Sequence, residues 1–589
     1  MTPHEFVAKW KDNTLSERSA AQQHFLDLCA LFGHPTPAAV DKLGEEFTFE
    51  RGLTKTGGGQ GFADVWKKGF FAWEYKKRKR NLDDALEQLT RYASALENPP
   101  LHVACDTQKF KIVTAWTNLV PATYEMELDD LLDPAKRKIL ENVFFNPEAL
   151  RPGVTREKLT RDAADKFTTI ADRLNHRNPD REAVAHFVNQ LAFCFFAEDV
   201  GLLPSIGEKE GYFTRLLKNA LKNPANSKAM LDGLFEAMQH GGPHGIEDIN
   251  HFNGGLFDDR RAFPLEADEL RILSELGRLD WDQIDPTIFG TLFERFLDPD
   301  KRKQVGAHYT DPEKIMMIVN PVIVRPLTRE WEQVRARVAG LMDGTIKPPK
   351  RDSDNRSLKP LDAAIGERET FLKRLRGTSV LDPACGSGNF LYLALHAIKD
   401  IENRALLECE ALGLPPEAPV IGPEILHGIE ISPLAAELAR TTIWIGFIQW
   451  EIRNMVGVGQ RPILKKLDNI ECRDALVTRL PSGDWVEAEW PAAEFIVGNP
   501  PFLGNRLLRR GLGDETVTQL RAVYQGRVSL AADLVTYWFE LARRQLESGG
   551  SRRVGLVATN SIRGGANRSV LKSAIQHNRS SRPGPMSRG

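Results

Sequence analysis

The stretch that decides the fold is VLDPACGSGNF, Val380 to Phe390. A β-prone run, Ser379-Val380-Leu381, ends at Asp382. A turn with glycines at Gly386 and Gly388 follows, and an apolar run, FLYLALHAI, starts at Phe390. The pattern predicts strand, glycine turn, helix. Glycine has no Cβ, so its backbone can take positive φ and lie close to a ligand. The helix that follows offers unpaired N–H groups at its start. A nucleotide-like ligand fits such a turn, and so does a turn with no ligand at all. A phosphate loop fits poorly, because the Gly-Lys-Ser/Thr ending that grips phosphates is missing.

The sequence downstream narrows the choice. ILHGIEI predicts a buried strand ending at Glu430, and PLAAELARTTIWIGFIQW its helix. DNIECRDAL predicts a third strand ending near Asp474, EFIVGNPPF a fourth ending at Asn499, and RRVGLVATNSI a fifth. Strands alternating with helices predict a parallel α/β sheet, and such sheets bind ligands beyond the carboxyl ends of their strands. Asp382, Glu430, Asp474 and Asn499 would then line one edge. Glu430 suits the hydroxyls of a ribose, and Asp474 can accept from an adenine amino group.

Asn499-Pro500-Pro501-Phe502 is the most specific piece. An exocyclic amine on adenine is a poor nucleophile because its lone pair is delocalised into the ring. The Asn499 side-chain oxygen and the Pro500 carbonyl can accept its two N–H bonds and turn the lone pair toward an electrophile. The prolines stiffen that carbonyl, and Phe502 offers a ring on which an extruded base can stack. A plain turn cap is the bland reading of Asn499, and a loop-start Asp that of Asp474. Upstream, GAHYT places His308, Tyr309 and Thr310 before an apolar helix that starts after Pro312, with Asp311 as its cap.

Near the N-terminus, GFADVWKKGFFAWEYKKRKR predicts a hairpin, Phe62–Trp66 and Phe70–Lys76. Glu74 and Lys76 are two apart and share a face, with Asp64 across from them. Two carboxylates can hold Mg²⁺ with waters completing its shell, and Lys76 can orient or deprotonate an attacking water. NLDDALEQLTRYASAL predicts a helix on this sheet, with Gln88 and Tyr92 four apart. KKRKR is a solvated face or a phosphate-contacting patch. Residues 153–298 read as helices and connectors, with Phe193, Phe195, Phe196 and His186 as core or helix-surface residues. Residues 343–376 read as a charged linker plus a surface helix.

Composition excludes some classes. The chain has 589 residues, 42% apolar and 27% charged, with a net charge of −2. No global field draws it to nucleic acid, so any such surface is a local patch. Six scattered cysteines form no CxxC pair, which fits reduced thiols in a cytoplasmic protein. No run reaches the roughly 18 apolar residues of a membrane span.

These residues together carry a resemblance. GAHYT, DPACGSGNF, GIEIS, CRDAL and NPPF stand in the order of the gamma arrangement of S-adenosylmethionine-dependent DNA adenine-N6 methyltransferases. The resemblance implies that Thr310, Asp382, Pro383, Ala384, Gly386, Gly388, Glu430 and Asp474 contact the methyl donor and that Asn499, Pro500, Pro501 and Phe502 form the catalytic face. Asp64, nine residues, Glu74, one residue, Lys76 resembles a PD-(D/E)xK nuclease, with Asp64 and Glu74 on Mg²⁺. The combination resembles the bifunctional MmeI-like type II restriction–modification enzymes, which act on double-stranded DNA.

The expected architecture is therefore multi-domain α/β. It has a nuclease-like domain at 1–152, a helical spacer at 153–298, a Rossmann-like methyltransferase domain at 299–566 with an incomplete C-terminal end, and a basic low-complexity tail at 567–589. From Ser548 to Gly589 there are eight Lys or Arg and no Asp or Glu. That stretch reads as a DNA-contacting arm or as the end of a truncated product whose target-recognition module, or a second chain supplying it, is missing. The competing readings are a methyltransferase with a structural N-terminal domain, methylation of RNA or a protein amide, and a DNA-binding remnant without turnover.

Overall fold

The computed structural model describes residues 1–11, 17–41, 44, 46–51, 63–78, 80–93, 96–116, 119–153, 155–206, 210–245, 247–251, 255–288, 290, 312–350, 358–454 and 467–573. Thr310, with the rest of GAHYT, and the tail from 574 onward lie outside this set.

Two helices, α1 (Pro3–Lys11) and α2 (Glu17–Phe32), precede a six-stranded sheet. Its strands stand side by side in chain order: β1 (Phe47–Arg51), β2 (Ala63–Lys67), β3 (Phe71–Tyr75), β4 (Leu101–Cys105), β5 (Lys109–Thr114) and β6 (Thr123–Glu127). All neighbours are antiparallel except β3 and β4, which are parallel and are joined through helix α3 (Asp83–Arg91). Alternation sets the two faces. Val65, Phe71, Trp73 and Tyr75 pack with Phe25 of α2 and Phe144 of α4 (Pro134–Phe145). Burying each such phenylalanine is worth roughly 1.5–3 kcal/mol. On the other face Trp66 and Ala72 pack with Leu89 and Leu96.

The predicted hairpin is present, its first arm running to Lys67 and its second spanning Phe71–Tyr75, so that Lys76 lies just past β3; Phe62 lies outside the described residues. Helix α3 is shorter than the run Asn81–Leu96 suggested. It stops at Arg91, and the chain turns through positive φ at Glu97 and Asn98, so Leu96 reaches the cluster from a turn. There its carbonyl accepts from Trp66 Nε1 at 2.8 Å.

The middle segment is helical, with two short ribbons, Ser205–Ile206 with Glu210–Gly211 and Gly242–His244 with Glu247–Ile249. Its helices are α5 (Arg156–Arg177), α6 (Arg181–Asp199), α7 (Tyr212–Lys222), α8 (Ser227–His240) and α9 (Ala267–Leu276). Phe193, Phe195 and Phe196 are core residues, and Phe195 stacks on Trp281 at 5.1 Å. The core of this segment runs without a break into that of the C-terminal region. Gln449 Nε2 donates to the carbonyls of Asp282 and Ile284, and Tyr392 Oη donates to Asp285. His186 sits in this seam, with Nε2 on the Asp259 carbonyl and Nδ1 3.1 Å from Glu437.

Helix α10 (Pro312–Val319) passes through a π-helical turn, Asn320–Val324, into α11 (Arg325–Met342). Helix α12 (Pro360–Arg376), read as a surface helix, instead buries Ala363, Ala364, Phe371, Leu372 and Leu375, with Phe371 against Trp331 of α11.

A five-stranded sheet, parallel throughout, follows: β7 (Val380–Asp382), β8 (Leu426–Glu430), β9 (Ile470–Cys472), β10 (Phe495–Gly498) and β11 (Arg553–Leu556). In space the order is β9-β8-β7-β10-β11. The order reverses between β7 and β10, which opens a crevice at their carboxyl ends. Helices α13 (Asn389–Ala411), α14 (Pro433–Arg453), α15 (Asp514–Val523) and α16 (Val535–Glu547) complete the region. Ser432 caps α14 and Pro433 opens it, so that helix starts directly behind Glu430.

Candidate active sites

The glycine turn and Asn499 flank the crevice between β7 and β10, while Glu430 and Asp474 stand at the ends of β8 and β9 on the same sheet edge. Gly388 caps α13 in a left-handed conformation, φ 84°, and Gly386 is also left-handed, φ 53°. The two glycines do different work. A Cβ on Gly388 would lie 3.0 Å from the Ala439 Cα and carbonyl oxygen of α14, so this glycine lets two helices approach. A Cβ on Gly386 would meet nothing within 4 Å, so this one faces open space.

Glu430 ties the turn down. Its Oε2 accepts from the Gly386 N–H at 3.0 Å and its Oε1 from the Ser432 N–H at 2.9 Å. The Ile431 N–H also reaches this carboxylate, so three backbone N–H groups converge on it. Burial raises its carboxyl above the ordinary value. Ile431, the next residue, is 62% exposed and presents an apolar side chain at the same edge.

Asp382 is buried and accepts from the Ala384 N–H at 3.0 Å. Burial, reinforced by the Glu430 charge, pushes its carboxyl up to about 8. Gly498, at the end of the neighbouring strand, makes room for it, since a Cβ there would collide with the carboxylate. The Pro383 carbonyl accepts from Trp538 Nε1 of α16 at 3.1 Å. Asp474 lies two residues past β9, where its Oδ1 accepts from the Leu476 and Val477 N–H groups.

Asn499 follows β10 directly, one strand over from the glycine turn. Asn499, Pro501 and Phe502 are partly exposed and Pro500 is buried. The corner is braced from behind. Leu534 N donates to the Leu503 carbonyl, and Asn505 N to Asp533 Oδ1. Asn567 in turn accepts from the Asp533 N–H and donates to its Oδ2. A separate concavity of about 430 Å³, lined by Asn320, Trp331, His396 and Arg404 among others, lies along the middle of α13.

The second site is on the N-terminal sheet. The pairing of Val65 with Trp73 puts Asp64 across from Glu74. Asp64 Oδ2 accepts from the Tyr75 N–H at 2.7 Å. Lys76 Nζ is 3.4 Å from Glu74 Oε1, and Gln88 of α3 joins them, donating to Glu74 at 2.9 Å and accepting from Lys76 at 3.1 Å. Burial and the adjacent Asp64 raise the Glu74 carboxyl. Two facing carboxylates are hard oxygen ligands that fit Mg²⁺. No group of three or more His, Cys, Asp or Glu with metal-binding placement occurs among the described residues, so the remaining ligands would be water or phosphate. Tyr92, expected beside Gln88, points elsewhere. Its hydroxyl donates to Glu410 of α13 at 3.0 Å.

Gly498, Ile431, Trp538 and Asn567 were not legible as site residues. Only Gly498, a small residue directly before N-P-P-F, carried a signal in the sequence.

A 3-2-1-4-5 parallel sheet with a glycine turn after its first strand, an acidic residue closing the second and N-P-P-F after the fourth defines a methyltransferase domain. Three family models match in order along the chain: the MmeI N-terminal domain over 1–177, the MmeI helicase spacer domain over 182–257 and the MmeI DNA-methyltransferase domain over 360–581. The chain belongs to the MmeI family. It is 25% identical over 429 residues to DNA methyltransferase A of Bacillus subtilis, an alignment covering 69% of this chain and 44% of that protein. It is 24% identical over 298 residues to a putative type II restriction enzyme and methyltransferase of Methanocaldococcus jannaschii, covering 44% of this chain and 24% of that one. The chain thus spans less than half the length of either relative. Its fold is similar to that of the type IIL restriction-modification enzyme MmeI, solved in complex with DNA. The TM-score is 0.52 at 22% identity, covering 70% of this chain and 52% of that one. No helix among the described residues is long and apolar enough to cross a membrane, and all six cysteines are free thiols.

Proposed function

We propose that this chain, in the cytoplasm, transfers a methyl group from S-adenosylmethionine to the N6 amine of adenine in double-stranded DNA. We also propose that its N-terminal sheet is a PD-(D/E)xK nuclease domain that cuts DNA with Mg²⁺. The observation that carries the first reading is the adjacency of β7 and β10, which end in the glycine turn and in the Asn499 corner. The relatives named for restriction and for DNA methylation, and the MmeI structure solved with DNA, support DNA as the substrate.

On this reading, S-adenosylmethionine bound at the turn supplies an activated methyl group. Gly386 would leave room for it, and the Glu430 carboxylate would accept from its ribose hydroxyls. Asp474 would accept from the amino group of the donor's adenine, Asp382, Pro383, Ala384 and Gly388 would shape the turn, and Thr310 is assigned to the donor by the family resemblance alone. The target adenine is taken out of the duplex and stacks on Phe502. Asn499 Oδ1 and the Pro500 carbonyl accept its two N–H bonds and hold the nitrogen lone pair toward the donor, so no general base is required during transfer. In the nuclease domain Asp64 and Glu74 would hold Mg²⁺, which when bound would supply charge stabilisation for the phosphodiester, and Lys76 would orient the attacking water.

The test offers DNA, RNA and protein together with a radiolabelled methyl donor. Label is expected in DNA as N6-methyladenine. It should be lost in Asn499→Ala while calorimetry still detects donor binding. Label in RNA or protein would overturn the reading. Mg²⁺-dependent DNA cutting that survives both Asp64→Asn and Lys76→Ala would remove the nuclease assignment.

A further inference from the structure

Helix α3 is held at both ends of one turn. Gln88 binds Glu74 and Lys76 through its side chain. Its own backbone carbonyl accepts from the Tyr92 N–H at 3.1 Å. The Tyr92 hydroxyl donates to Glu410 Oε1 at 3.0 Å, and Arg91 lies 3.7 Å from Glu410 Oε2. Glu410 is next to last in α13, the helix that begins at the glycine turn of the methyltransferase domain. Ala411, the last residue of α13, packs on the cluster of Ala63, Trp66, Ala72, Leu89 and Leu96 beneath α3. A carboxylate from one domain therefore fixes the helix that orders the cation and carboxylate of the other.

We propose that Glu410 is a positioning residue for the nuclease, acting through Tyr92 and Gln88 to set the Lys76 ammonium against Glu74. The inference rests on the nuclease reading above. Glu410 binds Tyr92 and Arg91 at the end of α3, so its influence passes along that helix. Arg91 and Tyr92 share it, the one through charge and the other through a directed O–H bond. A carboxamide can still accept from Tyr92 while giving up the charge that holds Arg91.

The experiment uses the full chain, plasmid and genomic DNA, and Mg²⁺. Glu410→Ala and Tyr92→Phe are expected to lower the maximal cutting rate about tenfold, a loss of about 1.4 kcal/mol of transition-state stabilisation. The Mg²⁺ concentration for half-maximal rate and the methylation rate should stay within about twofold of the starting protein, since uniform binding is untouched. Glu410→Gln should retain most of the cutting. The double variant Glu410→Ala with Gln88→Ala should cut no worse than Gln88→Ala alone, because both changes break one path. Amide hydrogen exchange over residues 83–92 should quicken in Glu410→Ala with the β7–β11 sheet unchanged. Additive losses, a parallel fall in methylation, or unchanged exchange over 83–92 would overturn the proposal. Asp64→Asn separates the two claims. If exchange quickens but cutting is absent from the starting protein or persists in Asp64→Asn, the nuclease reading has failed and Glu410 has no catalytic centre to position.

Discussion

Gly498 leaves the space that the Asp382 carboxylate fills. The two stand on neighbouring parallel strands, and the carboxylate is fixed there by the Ala384 N–H. A methyl group at 498 has nowhere to go. Gly498→Ala is expected to cost about 1–3 kcal/mol of stability, the range for overpacking a filled interior. It should also weaken methyl-donor binding at least tenfold, both effects measurable by calorimetry. Unchanged donor affinity would mean that Asp382 can move aside freely.

The two turn glycines should respond differently. Both are left-handed, so an alanine at either is strained by roughly 1–2 kcal/mol. Gly388→Ala adds a collision with the Ala439 backbone, and Gly386→Ala does not. Thermal unfolding is expected to show the larger loss for Gly388→Ala. Donor titration is expected to show weakened binding for Gly386→Ala even where most of its stability remains.

Glu430 supports the turn as well as any ligand. Glu430→Gln keeps one acceptor oxygen but gives up the second, leaving either the Gly386 or the Ser432 N–H unpaired. Hydrogen bonds to a charged group are worth about 1.5–3 kcal/mol. Donor affinity should fall by more than tenfold in a calorimetric titration, with methylation falling in step at subsaturating donor.

Asp382 gives this crevice a pH signature. Its folded value near 8 stands above the roughly 3.9 of an unfolded chain. Between those values the unfolded chain has released the proton and the folded chain has kept it. The stability linked to this group is therefore fully present below about pH 4 and is lost as pH rises toward 8. Asp382→Asn is neutral throughout, so its melting temperature minus that of the unaltered protein should grow from pH 5 to pH 8. A difference that shrinks over that range would reverse the assignment.

Local structure was legible and long-range partnership was not. The alternation in ADVWK and FAWEY announced β2 and β3, and one residue of error in their limits left Asp64, Glu74 and Lys76 on a shared face. Glycine spacing announced the turn between β7 and α13, but not which glycine faces a helix and which faces solvent, since that depends on α14. The charge in residues 343–376 reads as a surface helix, and only the fold shows that α11 covers Phe371 and its neighbours. Tyr92 reads as a neighbour of Gln88, and its partner stands 318 residues away. The strands β1 and β6 lacked an isolated signature because their sheet edges are defined only by the strands they pair with.

The unbroken core beneath α5–α9 and α13–α14 has a consequence for inheritance. A recombination event that exchanged residues from 360 onward alone would strip away a floor contributed by Phe167, Leu191, Phe195 and Trp281. The smallest transplantable cassette is therefore not the β7–β11 sheet but the stretch that opens near Arg156, and crossovers between homologues should be tolerated upstream of that helix and punished within it.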